Sequence, residues 1–113
     1  WQWINSSDKL SVYLDSQTIT YDYGYSTSKS TNPIGATAWV KFVEADINKF
    51  ALAQDYYSFT NNTHTICSYA FYINDKLDSS ETIPLNSRKA EPIIPESFAE
   101  DTIILLKVMA GVR

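Results

Sequence analysis

His64 and Cys67 are the residues whose side chains could do catalytic chemistry, because each is the only one of its type in the chain. A histidine can act as the base that activates a cysteine nucleophile when the two side chains meet. Both lie in the segment His64–Ile73, which alternates like a strand, and residues three apart on a strand point to opposite faces. This spacing disfavours a Cys–His pair. We therefore interpret His64 as a polar residue at a strand start and Cys67 as a buried, inert thiol.

Other catalytic signatures are missing from the sequence. It has no nucleophile elbow and no metalloprotease histidine motif, and its three glycines are too few for a phosphate-cradling loop. Five aspartates lie mostly at predicted turns, and a glycosidase pair hidden among them stays an open alternative: Asp22, Asp46, Asp55, Asp75 and Asp78. The sequence predicts a protein that is not an enzyme and that uses no cofactor or metal ion.

Three tyrosines alternate along the segment Thr18–Tyr25, which we predict to be a strand. Tyr21, Tyr23 and Tyr25 would then share one face of that strand. Such a row could form a platform for a protein partner, because tyrosine offers a large contact area at low entropy cost. It could equally pack across the sheet against neighbouring strands. Both interpretations stay open, with these three tyrosines as the candidate partner-binding residues.

The composition restricts the kinds of partner. The chain has 113 residues, which predicts one domain, residues 1–113, with a single core. Nine basic residues stand against 13 acidic ones, for a net charge of −4 without a basic cluster. Nucleic-acid binding is disfavoured, since neutralising phosphates requires concentrated lysine and arginine. No stretch is long and apolar enough for a transmembrane segment, and a start at Trp1 without methionine indicates a segment trimmed from a longer protein.

Short runs of alternating apolar and polar residues indicate strands over most of the chain. We predict about six strands, with Trp1–Asn5 as a further edge-strand candidate: Leu10–Leu14, Thr18–Tyr25, Ala36–Glu44, Asp55–Thr60, His64–Ile73 and Lys76–Ile83. Three segments are predicted to connect them, the second containing one helical turn: Ser26–Gly35, Ala45–Ala53 and Pro84–Ala90. Hairpin turns are expected at Asn61-Asn62-Thr63 and at Asn74-Asp75.

The only strong helix signal lies near the end of the chain. Ser97 is the predicted N-cap, and Glu100, three residues later, completes a capping box. Gly111 is the predicted terminator. One apolar stripe repeats at helical spacing between them: Ala99, Thr102, Ile103, Leu106, Met109 and Ala110. The fold class that follows is α+β, an antiparallel meander of about six strands with one C-terminal helix packed on one face.

Ala36–Glu44 raises the question of what covers the other face of the sheet. Val40 and Phe42 would lie on one face of this strand, and Trp39 and Val43 on the other. A strand with apolar residues on both faces is typical of one that is buried on both sides. We therefore predict a homodimer through the uncovered face or through an edge of the sheet.

Several short stretches, spread over nearly the whole chain, occur together in the order of one known family. They are Trp3-Ile4, Val12-Tyr13-Leu14-Asp15-Ser16 with Ile19, Trp39-Val40-Lys41, Cys67, and Pro92-Ile93-Ile94-Pro95-Glu96-Ser97. In these stretches the chain resembles the surface-adhesin protein E family. Members are small exported bacterial proteins with a six-stranded antiparallel sheet and a C-terminal helix on its concave face.

The resemblance departs from the family at the cysteine. Comparable members join the mid-chain cysteine to a second one near the end of the helix, where this chain has Val108, Met109 and Ala110. Cys67 is then either a free core thiol or bonded to a partner beyond Arg113.

A function is implied by the resemblance alone. It is that of an exported interaction domain at the bacterial cell surface, the outer membrane or the periplasm, with a protein partner such as a host matrix protein. The alternative is a structural or self-assembly module of the bacterial envelope, and a small hydrolase comes third. The resemblance assigns no binding residue.

Overall fold

The computed structural model describes residues 1–24, 32–44 and 47–112. These contain eight strands, one α-helix and the short 3-10 turn Leu85–Ser87. The strands are β1 (Gln2–Ser6), β2 (Leu10–Leu14), β3 (Thr20–Asp22), β4 (Gly35–Glu44), β5 (Lys49–Ser58), β6 (Thr63–Ile73), β7 (Lys76–Thr82) and β8 (Glu91–Pro92). The helix α1 is Phe98–Met109. Its length and hydropathy do not suffice for a membrane crossing, and it is the sole α-helix among the described residues.

All eight strands belong to one antiparallel sheet. Six of them lie side by side in the order β1-β2-β4-β5-β6-β7. The other two extend the sheet lengthwise, since β3 pairs with β4 next to β2, and β8 pairs with β6 next to β7. The predicted fold class, an antiparallel meander with one C-terminal helix on one face, is confirmed.

The predicted connection Ala45–Ala53 is wrong for most of its length. β5 begins at Lys49, and its first residues pair with β4 on one side and with β6 on the other. Lysine and alanine have low strand propensity, but hydrogen bonding on both edges outweighs that preference. Residues 45 and 46 lie outside the described part of the chain.

The predicted strand Thr18–Tyr25 is too long. β3 has three residues, Thr20–Asp22, and Gly24 turns the chain with a φ of 67°. Tyr25 and most of the predicted loop Ser26–Gly35 fall outside the described residues, while Gly35 is already the first residue of β4.

Both hairpin predictions are confirmed. Asn74 and Asp75 have φ values of 51° and 63°, the left-handed pair that a two-residue type I′ turn requires. Asn62 has a φ of 55° in the turn before β6, and Thr63 is the first residue of that strand. Asparagine and aspartate adopt this backbone more readily than other side chains do.

The helix begins and ends where its capping residues predict. Ser97 Oγ accepts a hydrogen bond from the Glu100 backbone N–H at 3.3 Å. The Glu100 carboxylate reaches back to the backbone N–H of Glu96, one residue before the cap, at 3.1 Å. Gly111, with a φ of 73°, ends the helix. These bonds satisfy backbone groups that a helix end otherwise leaves unpaired.

The core lies between α1 and the β2–β4 part of the sheet. Thr102, Ile103 and Leu106 are buried on the inner side of the helix. They pack against buried sheet and loop residues: Val12, Leu14, Ala36, Ala38, Val40, Tyr57 and Ile93. Met109 is 44% exposed, so its predicted place in the buried stripe is wrong. The helix has twelve residues and covers part of the sheet face on which it packs. The rest of that face stays uncovered and contains the candidate site.

A β-bulge in β6 changes which residues share a face. Ile66 pairs with Asp55 and Ser68 pairs with Gln54, so Cys67 is the extra residue. The bulge puts Ile66, and not Cys67 as strict alternation predicts, on the face of Tyr69 and Phe71. Cys67 is buried, as expected, but it lies outside the cluster beneath the helix.

Candidate binding groove

An apolar groove occupies the half of the helix-side face that α1 leaves uncovered. It consists of three adjoining depressions of about 310, 350 and 240 Å³. The first two share Phe42, Ala51 and Phe71, and the last two share Phe42, Ala53 and Ile66. We call this continuous surface the groove.

The register of the sheet explains why a groove forms here. Ala51 pairs with Phe42 of β4 and with Phe71 of β6, so a small side chain lies between two large ones. Ala53 repeats this arrangement one step along β5, where it pairs with Tyr69 of β6. Residues two apart on a strand share a face, so the alanines form a low floor and the aromatic rings form walls.

The groove is apolar and open to solvent. Ile66, Phe71 and Ile73 are 40%, 46% and 38% exposed. Its outer end, near the turn after β6, carries three charged side chains, Glu44, Lys49 and Asp78. Contiguous exposed apolar surface of this kind usually marks a binding site.

A polar cluster of Asp55, Tyr57 and His64 closes the inner end of the groove, beside the first turn of α1. His64 Nδ1 lies 3.3 Å from Asp55 Oδ2, and the Tyr57 hydroxyl donates to the same oxygen at 3.2 Å. The Tyr57 and His64 rings stack with their centroids 6.2 Å apart. We call these three residues the Asp–His corner.

Burial controls the electrostatics of this corner. It raises the pKa of the Asp55 carboxyl, because a charge is poorly solvated there, while the nearby His64 and the Tyr57 hydroxyl act in the opposite direction. Burial, reinforced by the Asp55 charge, raises the pKa of Tyr57 well above its ordinary value. Asp55 Oδ1 is buried and has no hydrogen-bond partner among the described residues. Among the described residues, the Asp55 carboxylate therefore accepts two hydrogen bonds, both at Oδ2.

Among the described residues, the corner has an Asp–His pair like that of a catalytic triad and no hydroxyl in the place of its nucleophile. The Tyr57 hydroxyl is engaged with Asp55, and the Thr102 hydroxyl donates to the Phe98 carbonyl at 2.7 Å. Neither hydroxyl is paired with His64 as a triad nucleophile would be. In residues 1–24, 32–44 and 47–112, no group of three or more metal-ligating side chains lies close enough to hold an ion.

Sequence reasoning treated His64 as an ordinary polar residue and missed its partner. The signal was available in the hairpin. Once the turn places Tyr57 opposite His64, Asp55 comes two residues earlier on the same face. In the folded chain, Phe98, Ala99 and Thr102 of α1 line the same depression as these residues.

Of the three candidate tyrosines, Tyr21 lies within β3 and Tyr23 lies just after its end. Tyr21 is half-buried against the core, and its hydroxyl donates to the Leu106 carbonyl at 3.3 Å. Tyr23 follows the end of β3 and is 50% exposed. Tyr25 lies outside the described residues. Packing accounts for Tyr21, and partner binding by these tyrosines stays a prediction.

The opposite face of the sheet carries aromatic side chains and one lysine. Phe50 and Tyr72 stack with their ring centroids 4.5 Å apart. The Lys41 ammonium lies 4.6 Å from the centre of the Phe50 ring and 5.7 Å from that of Trp1. These contacts cover part of the apolar surface by cation–π and stacking interactions. Dimerisation through this face stays a prediction.

No family model, curated protein or solved structure matches the chain.

Proposed function

We propose that this chain is a non-enzymatic interaction domain that binds a protein partner along the groove. The observation that carries the proposal is the apolar half of the sheet face that α1 does not cover. The groove follows β6 from His64 to Ile73, about 30 Å at about 3.3 Å per residue. An amphipathic helix of about five turns, or an extended segment of nine residues, matches that length.

Apolar burial supplies the driving force. Phe71, Ile66 and Ile73 each keep more than a third of their surface exposed, and covering such side chains contributes roughly 1.5–3 kcal/mol for each one fully buried. The outer end adds two carboxylates against one lysine, which favours a partner segment with basic residues beyond its apolar part.

The cellular location and the kind of partner in this proposal come from the resemblance to the surface-adhesin protein E family. It supports export to the bacterial surface, the outer membrane or the periplasm, and a host matrix protein as the partner. Self-assembly is the second candidate, because the same exposed face could close against a second copy of the chain. The domain would then be a structural module of the envelope.

Binding to immobilised matrix proteins tests the proposal. The wild-type chain is compared with Phe71→Asp, which places a charge in the groove. Leu77→Asp is the matched control, since Leu77 is a 57% exposed apolar strand residue that pairs with Tyr72 and does not line the groove. We expect Phe71→Asp to lose binding at least tenfold and Leu77→Asp to retain it.

Light scattering on the same variants separates the two candidates. A dimer that Phe71→Asp dissociates, together with no capture by matrix proteins, supports self-assembly. A monomer that binds neither matrix proteins nor itself, or equal binding by both variants, contradicts groove-mediated interaction.

A further inference from the structure

The Asp–His corner presents one hydrogen-bond acceptor to the groove. Asp55 accepts through Oδ2 from the His64 ring at Nδ1, so in the neutral ring the proton lies on Nδ1 and the lone pair on Nε2. Among the described residues the His64 ring makes its hydrogen bond through Nδ1 and none through Nε2, and the His64 side chain is 23% exposed. A neutral imidazole held this way accepts a hydrogen bond from a ligand.

The surroundings of His64 are apolar. The depression it lines measures about 240 Å³, and its walls include Phe42, Ile66, Phe98 and Ala99. An apolar protein cavity of roughly 150 Å³ already accommodates a benzene molecule. This end of the groove therefore has room for one aromatic ring, and the His64 ring is part of its lining.

We propose that this depression is an anchor pocket for a tyrosine side chain of the partner, whose phenol hydroxyl donates to His64 Nε2. The inference rests on the proposed function, because it names the residue that a partner inserts at the inner end of the groove. Tyrosine is among the residues that most often dominate binding energy at interfaces, since its ring is large and its hydroxyl is polar.

Other side chains fit the corner less well. An aliphatic side chain would leave Nε2 covered and unpaired, which costs binding energy. A carboxylate would face Asp55. The free oxygen of Asp55, Oδ1, has no solvent-accessible surface, so a lysine ammonium would not reach it. A neutral donor on an aromatic ring satisfies the acceptor and fills the apolar walls together.

Small probes test the pocket on the whole chain. The probe is p-cresol, the side chain of tyrosine, and the reference is p-xylene, in which a methyl group replaces the hydroxyl. Both are titrated into the chain at the same pH and followed by NMR. We expect both to shift the Ile66 and Ala99 amide signals, with p-cresol binding about tenfold more tightly, as one satisfied hydrogen bond predicts.

His64→Phe is the deciding variant, because it keeps an aromatic ring and removes the acceptor. We expect it to bind p-xylene at least as tightly as the wild type does, because no acceptor is then covered, and to lose the preference for p-cresol. Equal affinities in the wild type, or a preference that survives in His64→Phe, would overturn the proposal.

The His64 ring nitrogens in the wild-type chain provide a readout that needs no variant. We expect the Nε2 resonance to move on addition of p-cresol and to stay in place with p-xylene. An Nε2 signal that p-cresol leaves unchanged refutes the anchor pocket.

These probes do not depend on the partner. If matrix capture fails while the p-cresol preference holds, the proposed partner is wrong and the pocket stands. If Phe71→Asp abolishes capture while p-cresol and p-xylene bind equally, the groove is right and the tyrosine anchor is wrong.

Discussion

Replacing His64 by leucine should destabilise the fold, because the buried Asp55 carboxylate would keep the Tyr57 hydroxyl as its one hydrogen-bond partner among the described residues. Nδ1 and Oδ2 are 3.3 Å apart, and unit charges at that distance attract by about 5 kcal/mol at an effective dielectric constant of about 20. Solvent reaches 23% of the His64 side chain and reduces this figure. A neutral imidazole that donates to a carboxylate contributes about 1.5–3 kcal/mol. We therefore expect His64→Leu to lower the free energy of unfolding by about 2–3 kcal/mol.

Urea denaturation at neutral pH measures this loss, and a double-mutant cycle identifies its cause. In an Asp55→Asn background no carboxylate remains to be left unpaired, so His64→Leu should cost less than about 1 kcal/mol there. At acidic pH the free energies of unfolding of His64→Leu and the wild type should differ less, because protonation of Asp55 removes the buried charge. A loss below about 0.5 kcal/mol, or an equal loss in both backgrounds, would refute the reasoning.

Three further outcomes follow from the structure. The pKa of Asp55 lies above its ordinary value of 3.8, so the folded state holds the proton more tightly and stability should fall as pH rises from about 4 through the folded-state pKa. Urea denaturation across this pH range should show the decrease in the free energy of unfolding in the wild type. If the same decrease occurs in Asp55→Asn, a group other than Asp55 causes it. Gly35→Ala should cost about 1–3 kcal/mol in thermal melts, since the new Cβ would meet the Tyr56 ring and lie 2.7 Å from the Tyr57 carbonyl oxygen; an unchanged melting temperature would contradict this. Ser97→Ala should cost about 1 kcal/mol through the lost N-cap and should reduce amide protection in the first helical turn, whereas Ser97→Asp should restore it.

Local signals in the sequence are enough to predict the fold class. Ser97 and Glu100 locate the start of the helix, and Gly111 its end, because capping depends on residues within one turn. Asn74-Asp75 locates a hairpin for the same reason, since the left-handed backbone of a tight turn is a property of the turn residues themselves.

Where local preference and pairing disagree, the sequence misleads. The first residues of β5 look like a connection because lysine and alanine favour strands weakly, yet β4 and β6 pair with them on both sides. The bulge at Cys67 likewise leaves no local signature, and it shifts the alternation of β6 by one residue.

Periodicity and capping are short-range properties, so the amino-acid sequence by itself determined that strands form, that they meander and that one helix follows them. Tertiary structure alone decided that the helix leaves the groove uncovered and that the Asp–His corner lies beside its first turn. The groove needs Ala51 between Phe42 and Phe71, and the Asp–His corner needs two strands held in one register under the first turn of α1. Both depend on contacts between residues far apart in the chain, whose free energy is set by the packing of the whole sheet.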